Sequence, residues 1–173
     1  MKKFLCAVFA LGILGVIGYT RISGYPQESS VRSAISDTLG MNVRSGEVLV
    51  ESDTHGGFHG DGLLFAAFSF SDDSISRQIA NDNDWSPLPW SHKLTTLAYG
   101  SGTAAIRNGP YLTDGNGTPV LPAVQNGYYF FYDRHSQAED PRDESAVFRG
   151  SFNFTLALYD TDTDTLYYVE FDT

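Results

Sequence analysis

The chain has 173 residues, and its 21 acidic residues against 11 basic ones give a net charge of −10. A surface this acidic repels phosphate backbones, so the composition argues against a nucleic-acid-binding protein. The only cysteine is Cys6, near the N-terminus, which excludes a disulfide framework and a thiol nucleophile in the rest of the chain.

The first 21 residues are an uncharged segment flanked by basic residues. Lys2 and Lys3 precede the run Phe4–Thr20, and Arg21 follows it. As a helix this run would be roughly 25 Å long, close to the ~30 Å hydrocarbon core of a bilayer. We predict that residues 1–21 form a signal anchor, which is a transmembrane helix, because no small-residue cleavage site follows the run. A cleaved signal peptide and a buried core helix are the alternatives.

The two lysines also predict the orientation of the chain. Basic residues next to a membrane-spanning segment favour the cytoplasmic side. We therefore expect a single-pass protein of the bacterial cell membrane, with its N-terminus in the cytoplasm and its C-terminal domain outside. The expected partners are the membrane, through the N-terminal helix, and a neighbouring membrane or envelope protein.

A short tether and one domain follow the predicted anchor. Residues 22–28 contain a glycine and a proline and are typical of a tether. The remaining length, residues 29–173, suits one extracytoplasmic domain. Its first segment, about residues 30–39, has apolar residues four apart and predicts a helix.

Alternating or continuous apolar residues predict five strands and at least one more helix. A second helix begins after the aspartates at 72 and 73, residues 94–99 form a short strand or helix, and residues 100–126 form a loop. The strands are predicted at residues 47–53, 63–70, 128–133, 151–159 and 166–171. The fourth strand alternates clearly and predicts one buried and one exposed face. This order predicts an α+β domain, in which two or three helices pack on one face of an antiparallel sheet.

The loop between the first two strands holds the best candidates for a ligand or metal site. His55, His59 and Asp61 lie in the sequence THGGFHGDG, and imidazole and carboxylate groups both suit zinc. The spacing of the two histidines would place both rings on one face of a helix, but Gly56 and Gly57 break a helix here. We therefore predict a glycine-rich turn, with neither metal nor cofactor, whose polar side chains are candidates for ligand contact.

Asp133 and His135 are the second candidate pair. They lie at the end of a predicted strand, two residues apart and therefore on one face, where they could form a hydrogen-bonded pair. No nucleophile-elbow motif accompanies them. The alternating aspartates at 160, 162 and 164 resemble the start of a calcium loop, but a strand follows directly and predicts a hairpin turn instead.

Four segments together resemble a known group of proteins. They are DTHGGFHGDG (residues 53–62), DWSPLP (84–89), GYYFFYDRH (127–135) and SFNFTLALYDTDTDTLYYVEFDT (151–173). The chain is similar in these segments to a group of small, uncharacterised, membrane-anchored extracytoplasmic proteins of Gram-positive bacteria. The resemblance implies an extracytoplasmic location and no activity or catalytic residue.

The sequence thus predicts a non-catalytic domain for binding or protein interaction. No complete set of catalytic residues is apparent, and the predicted sheet is rich in aromatic residues. The alternative is a metal-assisted hydrolase centred on the loop of His55, His59 and Asp61. An enzyme would require these histidines, or His135, to meet a carboxylate in a concave pocket.

Overall fold

The computed structural model describes residues 27–56, 60–103 and 105–173. The chain divides into two compact units, Met1–Gly40 and Met41–Thr173. The described part of the first unit is helix α1 (Gln27–Leu39), which confirms the first predicted helix and takes in the last two residues of the predicted tether. Ile35 and Leu39, one helical repeat apart, are both buried.

The predicted fold class is wrong in one part. It included a transmembrane helix, whereas none of the helices in residues 27–56, 60–103 and 105–173 is long and apolar enough to cross a bilayer. The segment on which that prediction rested, residues 1–21, lies outside the described residues. The fold class is therefore α+β, with an antiparallel sheet and three described α-helices.

The second unit contains eight strands, two α-helices and two short 3₁₀ turns within its described residues. The turns are Val43–Ser45 and Glu144–Ala146. The strands and helices, in chain order, are β1 (Glu47–Asp53), β2 (Gly62–Ser69), α2 (Ser74–Ala80), β3 (Trp85–Pro87), α3 (His92–Tyr99), β4 (Ser101–Gly102), β5 (Arg107–Asn108), β6 (Gly127–Asp133), β7 (Asn153–Asp160) and β8 (Thr165–Asp172).

Six of these strands form one sheet in the order β1-β2-β8-β7-β6-β3, and every neighbouring pair is antiparallel. The predicted antiparallel sheet is therefore confirmed, and each of the five predicted strands lies within two residues of its observed bounds. The hairpin of β7 and β8 lies in the middle of the sheet. Its turn is closed by Asp160, whose Oδ1 accepts a hydrogen bond of 2.9 Å from the N–H of Asp162.

Helices lie on both faces of the sheet, which corrects the prediction that they pack on one face. The first face carries Phe131, Leu156 and Val169, and these form one core cluster with Leu94 and Leu97 of α3. The second face carries Tyr159, whose phenol group lies close to the hydroxyl group of Ser76 in α2. The two helices therefore cover opposite faces.

Because both faces of the sheet are covered, the prediction that β7 has one buried and one exposed face is wrong. The small and polar side chains Thr155 and Ala157, expected to be exposed, are both 0 % exposed. Both faces of β7 are covered. The alternation along this strand is therefore one of side-chain size, with large residues on one face and small residues on the other, and not one of burial and exposure.

The charged segment at residues 136–145 is largely exposed, but it is attached to the outer edge of β6. The carbonyl oxygen of Pro141 accepts a hydrogen bond of 2.7 Å from the N–H of Asp133. Arg142 then pairs with Asp84 at 2.6 Å, next to β3. We call residues 136–146 the strap.

Candidate functional site

His55 lies just beyond the end of β1, and two aspartates hold its ring. Nδ1 of His55 is 2.6 Å from Oδ1 of Asp53, and Nε2 is 3.0 Å from Oδ2 of Asp172. The backbone N–H of His55 also donates to Asp53 Oδ1 over 2.9 Å. Asp53 therefore stabilises the turn after β1, and the ring of His55 connects the end of β1 with the end of β8.

Arg134 completes this group of side chains. Its Nη2 lies 3.1 Å from Asp172 Oδ2 and also donates to the carbonyl oxygen of Phe154 over 3.1 Å. The other carboxylate oxygen of Asp172, Oδ1, is buried and has no hydrogen-bond partner among the described residues. We call Asp53, His55, Asp172 and Arg134 the His55 network.

The register of the sheet brings the His55 network together. Gly62 of β2 lies opposite Asp172 of β8, and Asp53 of β1 lies opposite Leu64 of β2. A Cβ atom at Gly62 would lie only 2.4 Å from the Cα atom of His55. Glycine at this position thus lets the turn after β1 approach β2 closely enough for His55 to meet Asp172.

The charges around His55 limit what its ring can do chemically. A neutral imidazole has one N–H and one lone pair, whereas the imidazolium can donate to both carboxylates at once. A metal-bound histidine directs one nitrogen at a carboxylate and keeps the other for the metal. Here Asp172 occupies the second nitrogen, so neither a lone pair for a metal nor a free base faces solvent.

Asp61, the other described residue of the predicted loop site, does not contact the ring of His55. Asp61 is exposed, and its backbone carbonyl accepts a hydrogen bond of 3.3 Å from Gly56. His59 lies outside the described residues. Within the described ranges, no group of three His, Cys, Asp or Glu side chains is arranged to hold a metal ion.

Asp133 and His135 are connected, but not through the histidine ring. Asp133 Oδ1 accepts a hydrogen bond of 2.9 Å from the backbone N–H of His135. Its Oδ2 lies 2.7 Å from Nη1 of Arg149, an ion-pair contact rather than a directed hydrogen bond. The buried carboxylate of Asp133 is thus neutralised by Arg149 and does not orient the ring of His135.

The ring of His135 contacts Ser151, a residue that the sequence did not single out. Nε2 lies 3.2 Å from Ser151 Oγ, and Nδ1 accepts a hydrogen bond of 3.1 Å from the N–H of Gln137. With Nδ1 as an acceptor, the neutral ring carries its proton on Nε2 and donates it to Ser151. A catalytic triad requires the opposite tautomer, in which Nε2 accepts the proton of the serine.

The aspartates of the β7–β8 turn bond to the turn itself. Asp160 binds the backbone of Asp162, and Asp164 Oδ1 accepts a hydrogen bond of 2.9 Å from the phenol of Tyr159. Asn126 donates to Asp162 Oδ2 over 2.9 Å. These contacts confirm the predicted hairpin turn, since each carboxylate serves the local fold.

Two concave regions formed by described residues of the second unit lie away from the described candidates. A groove of about 640 Å³ runs between the Val43–Ser45 turn and α2. A smaller cleft of about 130 Å³ lies between the strap and the β3 edge of the sheet. Neither is lined by His55, Asp61, Asp133 or His135.

Sequence reasoning missed the long-range members of both sites. Asp172 and Arg134 are far from His55 in sequence, and the pairing of the strands brings them close. Arg149 meets Asp133 only after the chain has passed through the strap. Asp53, in contrast, had a local signal, because an aspartate two residues before a turn residue often accepts a hydrogen bond from its N–H.

Comparisons with protein families, with curated proteins and with solved structures found no match to this chain.

Proposed function

We propose that the chain is a non-catalytic binding domain that acts by interaction with another protein. The observation that carries this proposal is the saturation of the described histidine candidates. Both ring nitrogens of His55 contact carboxylate oxygens, and both ring nitrogens of His135 have hydrogen-bonding neighbours. General acid–base catalysis needs a titratable group within reach of a substrate proton.

The positions of the cavities support the same proposal. An enzyme would have its polar catalytic groups converge in a pocket. Here the groove and the cleft are lined by amide, hydroxyl, carboxylate and guanidinium groups together with Ile75 and Phe131, and His55 and His135 line neither of them. Such lining groups suit recognition through hydrogen bonds and charge more than chemical transformation.

The expected partner is a membrane or envelope protein. This expectation depends on the predicted location outside the cell membrane, which stays a prediction because it rests on residues 1–21. The proposed binding function itself depends on the described contacts of the second unit and is independent of that location.

The proposal can be tested with the full chain and a variant that carries His55→Gln and His135→Gln. We expect both proteins to hydrolyse ester, phosphoester, peptide and glycoside reporters at the same background rate. We also expect a photo-crosslinker at exposed Tyr132 to form the same adduct in cells with either protein. His92→Gln, a change at an exposed histidine, is the matched control.

A different result would favour the hydrolase. Turnover by the natural chain that is lost in the double variant and kept in His92→Gln would overturn the non-catalytic proposal. So would binding of about one zinc ion per chain that disappears with His55→Gln, because zinc bound by this ring would break its contact with Asp172.

A further inference from the structure

The cleft between the strap and the sheet, which we call the edge cleft, is small and chemically specific. Its volume of about 130 Å³ corresponds to ~4 water volumes at ~30 Å³ each. The described residues that line it include Asp84, Ser86, Tyr129, Phe131, Arg142 and Glu144. It therefore has room for the end of one side chain rather than for a large ligand.

The positive charge in the edge cleft is already neutralised. Nη2 of Arg142 lies 2.6 Å from Oδ2 of Asp84, and Nη1 donates to the backbone carbonyl of Asp84 over 3.1 Å. The guanidinium group also lies over the ring of Phe130, 4.7 Å from its centroid. Arg142 thus directs its donors at Asp84 and leaves little to attract an anion.

The negative charge of Glu144 is not neutralised in this way. Of the six ion pairs formed by the described residues, none includes Glu144. Burial raises the pKa of Tyr129, and the nearby Glu144 carboxylate, which accepts a hydrogen bond from the phenol, raises it further. Glu144 is therefore a carboxylate that lies beside the phenol of Tyr129 and has no ion-pair partner among the described residues.

The aromatic rings that line the edge cleft suit a cation that is small enough to fit its volume of about 130 Å³. Phe131 is buried and Tyr129 is half-buried at the cleft, and an ammonium group within ~6 Å of such a ring gains a cation–π interaction. The net charge of −10 also attracts cationic partners over a longer range. An ammonium group on about three methylenes matches the volume, the charge and the walls.

We propose that the edge cleft binds the ammonium end of a lysine side chain that a protein partner presents. This inference rests on the proposed binding function and narrows the partner to one with an exposed lysine. Glu144 pairs with the ammonium group, and Phe131 and Tyr129 contact its methylenes and charge.

The test measures binding of Nα-acetyl-lysine methylamide to the full chain by amide shifts in nuclear magnetic resonance spectra at low salt. We expect saturable shifts at Tyr129, Phe131 and Glu144, and none with the Nε-acetylated derivative, which lacks the charge. Glu144→Gln should weaken binding by at least ~10-fold, or ~1.4 kcal/mol. Glu139→Gln removes the same charge from an exposed strap position and should leave binding unchanged.

Salt and two related ligands provide further tests of lysine binding. Added salt should weaken binding of the lysine derivative, which tests the charge without any substitution. n-Butylammonium, which carries the same ammonium group and methylenes as a lysine side chain, should shift the same residues, and failure to bind would overturn the proposal. Equal binding of the acetylated derivative, or equal loss in Glu139→Gln, would overturn the proposal. None of these results affects the turnover and crosslinking tests of the proposed function.

Discussion

Phe154 is the residue whose truncation best tests the packing of the central hairpin. Its side chain is 1 % exposed, and its ring centroid lies 5.8 Å from those of both Phe131 and Phe171. Removing a buried phenyl group forfeits its transfer free energy, ~2–3 kcal/mol. If a cavity of ~100 Å³ remains, ~24 cal/mol per Å³ adds ~2.4 kcal/mol. Together these contributions lead us to expect that Phe154→Ala lowers the free energy of unfolding by ~4–5 kcal/mol.

Urea denaturation of the full chain, followed by tryptophan fluorescence, measures this loss. Phe148→Ala is the matched control, because Phe148 belongs to the same group of aromatic rings but is 37 % exposed. It should cost no more than ~1.5 kcal/mol, roughly half of a full burial. Since ~5 kcal/mol can exceed the stability of a small domain, Phe154→Leu provides a milder variant. Equal losses for Phe154→Ala and Phe148→Ala would refute the assigned face of β7.

Three further predictions follow from contacts in the second unit. His55→Gln should lower the free energy of unfolding by ~1–3 kcal/mol in thermal or urea denaturation, because the half-buried carboxylate of Asp172 loses one of its partners; an unchanged midpoint would reject the network as a stabilising element. Gly127→Ala should destabilise the chain strongly in the same assay, since a Cβ atom there would lie 1.9 Å from the carbonyl oxygen of Tyr159; a soluble, equally stable variant would contradict this close approach. Burial raises the pKa of Tyr159, and its hydrogen bond to Asp164 raises it further. The free energy of unfolding should therefore fall as the pH rises above the ordinary tyrosine pKa of ~10, because the unfolded chain then loses the phenol proton more readily than the folded chain. Tyr159→Phe should reduce this alkaline loss in denaturation curves recorded across pH.

Local sequence signals predicted the strands well and their environment poorly. Residues Phe154, Leu156 and Leu158 alternate with smaller side chains, and this period is enough to place them on one face. The period does not reveal what covers the other face. Thr155 was expected to meet solvent, yet it is fully buried, because the second face is also covered. Burial of a small polar side chain depends on tertiary contacts that no local pattern records.

The strap illustrates the same limit for charged residues. Its composition is that of a solvated loop, and the sequence gives no reason to expect order. In the structure, Arg142 meets both the carboxylate and the carbonyl of Asp84, 58 residues earlier in the chain. The pairing depends on β3 lying beside β6, and β3 itself is only three residues long. A strand this short, ending in a proline, has too little pattern to be predicted.

The two histidine sites differ in what the sequence could foresee, and the difference bears on function. His55 and Asp53 are two residues apart and suggest a local pair, whereas Asp172 enters only through the pairing of β2 with β8. A histidine with one carboxylate neighbour is a reasonable candidate for a base or a metal ligand. A histidine with a carboxylate at each nitrogen instead joins the ends of β1 and β8 through contacts within the fold. On the proposed function, the long-range contact makes the best catalytic candidate of the sequence a stabilising group, and the edge cleft is the proposed binding surface.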